Sequence, residues 1–184
     1  GFRIDMAGSH EFFGFEPDLV CFGKALGNGY PISALVGTDA LRDAVNQVFY
    51  TGTQFFNAAP MAAAVATLKE LKKARGPQRM IEYGRKLTDG LVAVAAGHGF
   101  DLRVTGMPSM PYLRIEDPEN PPGRGASLHT GLHADWIVEC VQRGAYFTDY
   151  HNHFVSTAHT GDDLQRTWDI ADDAFKAVKQ QAHA

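Results

Sequence analysis

"PDLVCFGKALGNGYPISALVG", Pro17 to Gly37, sets one lysine between an apolar run and a glycine-rich bend, with no acidic residue between Asp18 and Asp39. Gly23 precedes that lysine, Lys24, and Gly27 and Gly29 follow it. The proline-led run "PDLVCFG" predicts a buried strand of a parallel sheet. "GNGYP" predicts a turn, because glycine takes positive φ and Pro31 fixes the exit. "ISALVG" predicts a second short strand. A lysine on a glycine-framed loop directly after a buried strand stands at the carboxyl edge of a sheet, where α/β proteins place ligands. A free lysine ammonium is a poor nucleophile because it stays protonated at neutral pH. Desolvation, or capture as an imine, makes it useful on carbonyl substrates. On composition alone, an exposed lysine in a turn fits the same residues.

Working outward, Thr38 can cap a helix over "DALRDAVNQV", where Leu41, Ala44, Val45 and Val48 keep helical spacing. "FYTGTQFFNAAP" is an irregular link. A strong helix then runs from Pro60 through "MAAAVATLKELKKA", with proline in its favoured first turn. "GPQ" breaks it, and "RMIEYGRKLTDGLVAVAAGHG" is a further helix, weakened at Gly84 and Gly90. After Gly99 the texture changes: "DLRVTGMPSMPYLRI" is strand-like and "EDPENPPGRG" is a polar loop. "LHTGLHADWIVECVQRG" reads as a helix ending at Gly144, and "AYF" and "FVSTAH" as short strands. In the closing helix Thr160 and Asp163 form a start like a capping box, and Leu164, Ala171, Phe175 and Val178 make the buried stripe. The expected organisation is therefore α/β: residues 1–76 end a sheet domain and residues 77–184 form a smaller α+β domain.

The whole chain sets bounds on this reading. It has 184 residues, 45% apolar and 21% charged, the profile of a globular protein with a real core. A formal charge of -4 gives no electrostatic case for nucleic acid or an anionic membrane. The densest basic cluster, "KELKKAR" at 69–75, reads as the polar face of a helix. Cys21 and Cys140 lie far apart in apolar surroundings, which fits buried, reduced thiols and a cytoplasmic location. No apolar run approaches the ~20 residues that span a bilayer. The first residue is glycine, so residues are expected upstream.

Several separate motifs, in order and at compatible distances, give residues 1–71 a specific resemblance. "GFR" at 1–3, "PD" at 17–18, Lys24, "GNGYP", Gly52-Thr53, and Asn57 with Pro60 before an alanine-rich helix are the pieces. Together they resemble class III aminotransferases, pyridoxal-phosphate enzymes of fold type I, and within them the glutamate-1-semialdehyde aminomutase branch. Residues after 71 match more loosely. The resemblance implies that Lys24 holds pyridoxal 5'-phosphate as a Schiff base and, once freed, moves a proton on the substrate. It implies that Gly52 and Thr53 bind the cofactor phosphate. In the family this contact crosses to the other subunit, so a homodimer with a shared active site is implied. The implied reaction transfers an amino group between an amino acid or amine and a keto or aldehyde acceptor. An aminomutase that keeps the nitrogen on one substrate is the alternative within the class. A truncated, non-catalytic remnant that folds or dimerises is the alternative from outside it.

Two departures from the family pattern shape the expectations. The aspartate that pairs with the cofactor's ring nitrogen lies upstream of "GFR", so these 184 residues alone are expected neither to hold the cofactor firmly nor to turn over. A cofactor absorbance band from the isolated chain, abolished in Lys24→Ala, would contradict that. Near the other end, "TDYHNHF" replaces a tyrosine–glutamate stretch that shapes the substrate pocket. His151 and Asn152 there argue for a substrate other than glutamate-1-semialdehyde, and a solvated loop fits them equally.

Histidines invite a metal reading. His129 and His133 stand at i, i+4, and His151, His153 and His159 cluster in sequence. Yet "HTGLH" lacks the glutamate of a zinc protease and no third ligand is evident, so surface or interface histidines are expected and no metal. "GKALGNG" is not a phosphate loop, because its lysine precedes the glycines, and "GNGYPI" lacks the third glycine of a dinucleotide fingerprint.

Overall fold

The structure, a computed structural model, describes residues 1–118 and 131–181. The chain divides into two compact units, 1–79 and 80–184, with the boundary in the first turn of a long helix.

In the first unit a short helix, α1 (Ser9–Phe13), precedes β1 (Leu19–Phe22). A one-turn 3-10 helix (Lys24–Leu26) and the glycine turn then lead back into β2 (Ala34–Gly37). β1 pairs with β2 antiparallel, with Leu19 opposite Gly37 and Phe22 opposite Ala34. The buried parallel strand expected here is thus one half of a two-stranded antiparallel ribbon, and Leu19 is 51% exposed. The eleven-residue return through "GKALGNGYPIS" is a turn, and a turn of that kind can only bring the next strand back antiparallel. Cys21, expected to be buried, is exposed for the same reason.

The helix expected after Thr38 is a 3-10 helix over Asp39–Gln47, and Thr38 makes no side-chain cap hydrogen bond. None of its residues is buried. Most helical stability comes from a packed face, and here Val45 and Val48 meet none. Asn57 does cap: its side chain accepts from the Ala59 N–H and starts α2 (Ala58–Lys73), with Pro60 in the first turn. Phe2, Leu26 and Ala64 are the buried core of this unit, with Phe22, Ile32 and Leu68 packed on it.

α3 (Gly76–His98) takes in the "GPQ" expected to end α2; the break falls one residue earlier, at Arg75, whose φ is 51°. The helix runs unbroken through Gly84 and Gly90, and neighbours close on both. A Cβ at Gly84 would stand 1.7 Å from the Pro108 carbonyl oxygen, and one at Gly90 2.3 Å from the Trp168 ring. β3 (Leu102–Thr105) and β4 (Tyr112–Ile115) form an antiparallel hairpin, Leu102 opposite Ile115. α4 (Leu132–Gln142) follows; the start expected for it at Leu128 lies outside the described residues.

Neither "AYF" nor "FVSTAH" forms a strand. Residues 153–155 instead rest on 109–111 through two bonds, His153 N–H to Pro111 O at 2.7 Å and Val155 N–H to Ser109 O at 3.2 Å. Two such bonds hold a segment without extending a ladder. The closing helix, α5 (Gly161–Gln181), opens as its sequence predicts. The Thr160 N–H and hydroxyl both donate to Asp163 Oδ2 at 2.8 Å, and Asp163 N–H donates back to Thr160 Oγ1 at 3.4 Å. Leu164, Ala171, Phe175 and Val178 are all buried, the last three in a core that includes Leu91, Leu113, Ile115 and Trp136.

Candidate active site

Lys24 follows β1 by two residues and has φ 53°, the left-handed region that costs a non-glycine residue roughly 1–2 kcal/mol. Its neighbours hold it there. Leu26, 5% exposed, anchors the turn in the core, and its N–H donates to Gly23 O at 3.1 Å. Gly27 closes the turn so tightly that a Cβ would lie 2.1 Å from the Tyr30 carbonyl oxygen. The Lys24 side chain stays exposed and makes no ion pair among the described residues. Backbone strain maintained around one free amine is the kind of outlier that concentrates at functional sites.

Gly52 and Thr53 lie in the same unit, on a turn closed by the Phe55 N–H to Gly52 O bond at 3.1 Å. Both are exposed, and among the described residues the Thr53 N–H and hydroxyl carry no hydrogen bond. That leaves two donors for an anion. Lys24 and Thr53 share no hydrogen bond with each other. Exposed aromatics flank this turn: Phe49 is 91% exposed and Phe56 88%.

His151 and Asn152 lie in the second unit and line a cleft of about 580 Å³. The His151 Nδ1 sits 2.8 Å from Asn152 O, and since a carbonyl only accepts, Nδ1 holds the proton and Nε2 is left as an acceptor. The loop is fastened from behind by the Thr148 hydroxyl donating to His151 O at 3.1 Å.

His133 corrects the expectation of a surface or interface residue. His133 is 2% exposed; its Nδ1 accepts the Ile115 N–H at 3.3 Å, which leaves a buried Nε2–H with no partner. Burial, helped by the Arg114 charge, pushes its pKa down to about 4. His153 also has a buried, unpartnered Nε2, and burial pushes it down to about 4 as well. His129 lies outside the described residues. Among the described residues no three metal-ligating side chains converge. Cys140 is buried, with its thiol pushed up to about 12, so it stays protonated and inert.

Sequence reasoning weighed His153 and His159 only as metal ligands and missed Tyr83 and Arg166; all four line the same cleft as His151. They come from three separate segments, and no spacing rule links position 83 to position 166.

The chain matches the class-III aminotransferase family over residues 7–160, and it belongs to that family. It is 40% identical over 179 residues to the aminopentol aminotransferase of Sphingopyxis macrogoltabida, covering 97% of this chain and 40% of that protein. It is 33% identical over 193 residues to the glutamate-1-semialdehyde 2,1-aminomutase of Caldivirga maquilingensis, covering 100% of this chain and 44% of that one. Its fold matches the FumI protein of Sphingopyxis sp. MTA144, solved in its PLP internal aldimine form. The TM-score is 0.89 at 38% identity, over 100% of this chain and 42% of the other. The fold is therefore that of part of a pyridoxal-phosphate transaminase, and the chain spans about 40% of the length of these relatives. Among the described residues no helix is long and apolar enough to cross a membrane.

Proposed function

We propose that this chain is the carboxyl-terminal part of an enzyme that transfers an amino group between an amino acid or amine and a carbonyl acceptor, using pyridoxal 5'-phosphate. Residues 1–76 would close the large, cofactor-binding domain and residues 77–184 would form the small α+β domain. The observation that carries this reading is Lys24, an unpaired amine on a strained turn, in a chain of this family.

The residues present fit the cofactor. Lys24 offers a free amine for its aldehyde carbon, and the Gly52–Thr53 turn offers unused donors for its phosphate. When bound, the cofactor supplies an electron sink for the carbon that carries the amine. The Lys24 Nζ would hold the cofactor covalently and, once released, carry a proton to and from the substrate carbon. Thr53 would serve the site of a second copy. A homodimer would follow from that arrangement. His151 and Asn152 would contact the substrate from the cleft they line. The reduced thiols support a cytoplasmic location.

An amine or amino-acid donor is favoured by the 40% identity to an aminopentol aminotransferase. The aminomutase reading is supported by the 33% identity to the Caldivirga protein. Turnover with and without added keto acid separates the two, because only the transaminase needs the acceptor. Borohydride treatment of the full-length, cofactor-loaded protein followed by peptide mass mapping is expected to leave the cofactor on the peptide holding Lys24. A label on another lysine overturns the Lys24 assignment, and no label at all favours a non-catalytic remnant.

A further inference from the structure

The lysine turn carries a second reactive pair, Asn28 and Gly29, which amino-group chemistry leaves without a role. Asn28 is the only asparagine of the chain followed by glycine; Asn46, Asn57, Asn120 and Asn152 precede Gln47, Ala58, Pro121 and His153. Asn28 and Gly29 are the central residues of the turn closed by the Tyr30 N–H to Gly27 O bond at 3.1 Å, with φ 47° and 108°. Positive φ at both central positions is the pattern of a primed turn, which asparagine followed by glycine suits best. The flanks of the turn are fixed. Asn28 N–H donates to Ala25 O at 3.1 Å, Leu26 is 5% exposed, and Gly27 leaves no room for a Cβ beside the Tyr30 carbonyl. The tip is not. Both central residues are exposed, and a Cβ at Gly29 would meet nothing within 4 Å. Among the described residues neither the Asn28 carboxamide nor the Gly29 N–H has a hydrogen-bond partner. The Gly29 nitrogen is thus unhindered and unbonded, next to a carboxamide that nothing holds away from it.

We propose that Asn28 is a modification site: in the folded protein the Gly29 nitrogen closes on Asn28 Cγ and converts the asparagine to aspartate and isoaspartate. Hydroxide takes the Gly29 amide proton, the N–Cγ bond forms, and the Cγ–Nδ2 bond breaks. The departing nitrogen leaves as ammonia after taking a proton from water, which returns the hydroxide. The cyclic imide then takes up one water. Opening at Cγ gives aspartate, and opening at the backbone carbonyl gives isoaspartate, in which the chain runs through the side chain. Either product sets a carboxylate beyond Lys24 in a stretch with no acidic residue between Asp18 and Asp39. The isoaspartyl form also adds a carbon to the backbone of the turn that frames the lysine. Cyclisation needs a rotation at Asn28, and among the described residues the Tyr30–Gly27 bond is what closes the turn against it. One exposed hydrogen bond shifts an equilibrium by about tenfold at most, so folding slows the attack by no more than that. The site does not depend on the amino-transfer reading.

The test is peptide mass mapping of the full-length, cofactor-loaded protein after ageing at neutral and at mildly alkaline pH, natively and in urea. Digestion is at acidic pH, where the attack stops. The peptide holding Asn28 is expected to gain about 1 Da and to separate into two products, aspartyl and isoaspartyl. Conversion should be faster at the higher pH, and the native rate should lie within about tenfold of the rate in urea. The Asn57 peptide, whose carboxamide caps α2, should stay unchanged in the native sample. Gly29→Ala is expected to slow conversion about tenfold or more in both samples, because a Cβ crowds the attacking nitrogen. A native rate more than about tenfold below that in urea overturns the proposal. Aspartate without isoaspartate overturns it too, since that marks direct hydrolysis, and so does an unchanged rate in Gly29→Ala. Neither the cofactor nor the Lys24 amine enters this chemistry, and the borohydride experiment does not call on Asn28. The failure of either reading is therefore visible without the other.

Discussion

The two units solve the problem of burial differently. The second owns a continuous core in which Leu91, Ile115, Trp136, Cys140, Ala171 and Phe175 are all 0% exposed. The first has a small core of Phe2, Leu26 and Ala64 and leaves Leu35 61%, Val45 69% and Tyr50 77% exposed. The difference is one of layers. A two-stranded ribbon with one long helix covers at most one face, and stable domains need two packed layers around a core. The unit that holds Lys24 is thus the one with least packing of its own. Its glycine turn is held by short-range backbone bonds, which survive without a full core.

That contrast should appear most strongly in core truncation. Phe175→Ala is expected to cost about 3–5 kcal/mol in urea unfolding, because the ring is fully buried against Trp136 at 5.1 Å. Phe56→Ala, at an 88% exposed ring, is expected to stay within about 0.5 kcal/mol. Similar losses at both sites would show that the first unit has packing of its own around that aromatic.

Acid should also separate the units. His133 has a folded pKa near 4 against 6.5 for the free side chain, so between those values the unfolded state binds more protons. Stability is then whole above pH ~6.5 and falls as pH drops toward ~4, by up to about 1.4 kcal/mol per pH unit. Hydrogen exchange resolved by residue is expected to show this loss in the second unit first, and His133→Asn should reduce it while leaving the share that His153 contributes.

The smallest expected effect concerns glycines on one helix. Helix propensity alone says that Gly→Ala stabilises by roughly 1 kcal/mol. Gly97→Ala, with open space around it, should follow that rule. Gly84→Ala should reverse it and lose about 1–3 kcal/mol, because the Pro108 carbonyl occupies the Cβ position. Thermal midpoints that move the same way for both would contradict the close approach.

Local signals in the sequence were legible where the physics is local. The α5 start at Thr160 and Asp163, its buried stripe, and the α2 helix with its early proline needed only neighbours within a turn or two. Lys24 was singled out by its glycine frame, in which Gly27 leaves no room for a Cβ beside the Tyr30 carbonyl. The strands were harder. "FVSTAH" joins no ladder and turns at Thr157–Ala158, since pairing depends on which partner lies alongside. Residues 83, 159 and 166 meet in one cleft only because α3 and α5 pack together, as Trp168 against Gly90 records.

By itself, then, the order of residues determined the family and the main helices, because each of these is written in short spacings. Which apolar runs are covered, which histidines lose their protons to burial, and which side chains share the cleft were settled only by packing between distant segments. Burial and desolvation belong to the assembled neighbourhood, and no stretch of chain carries them alone.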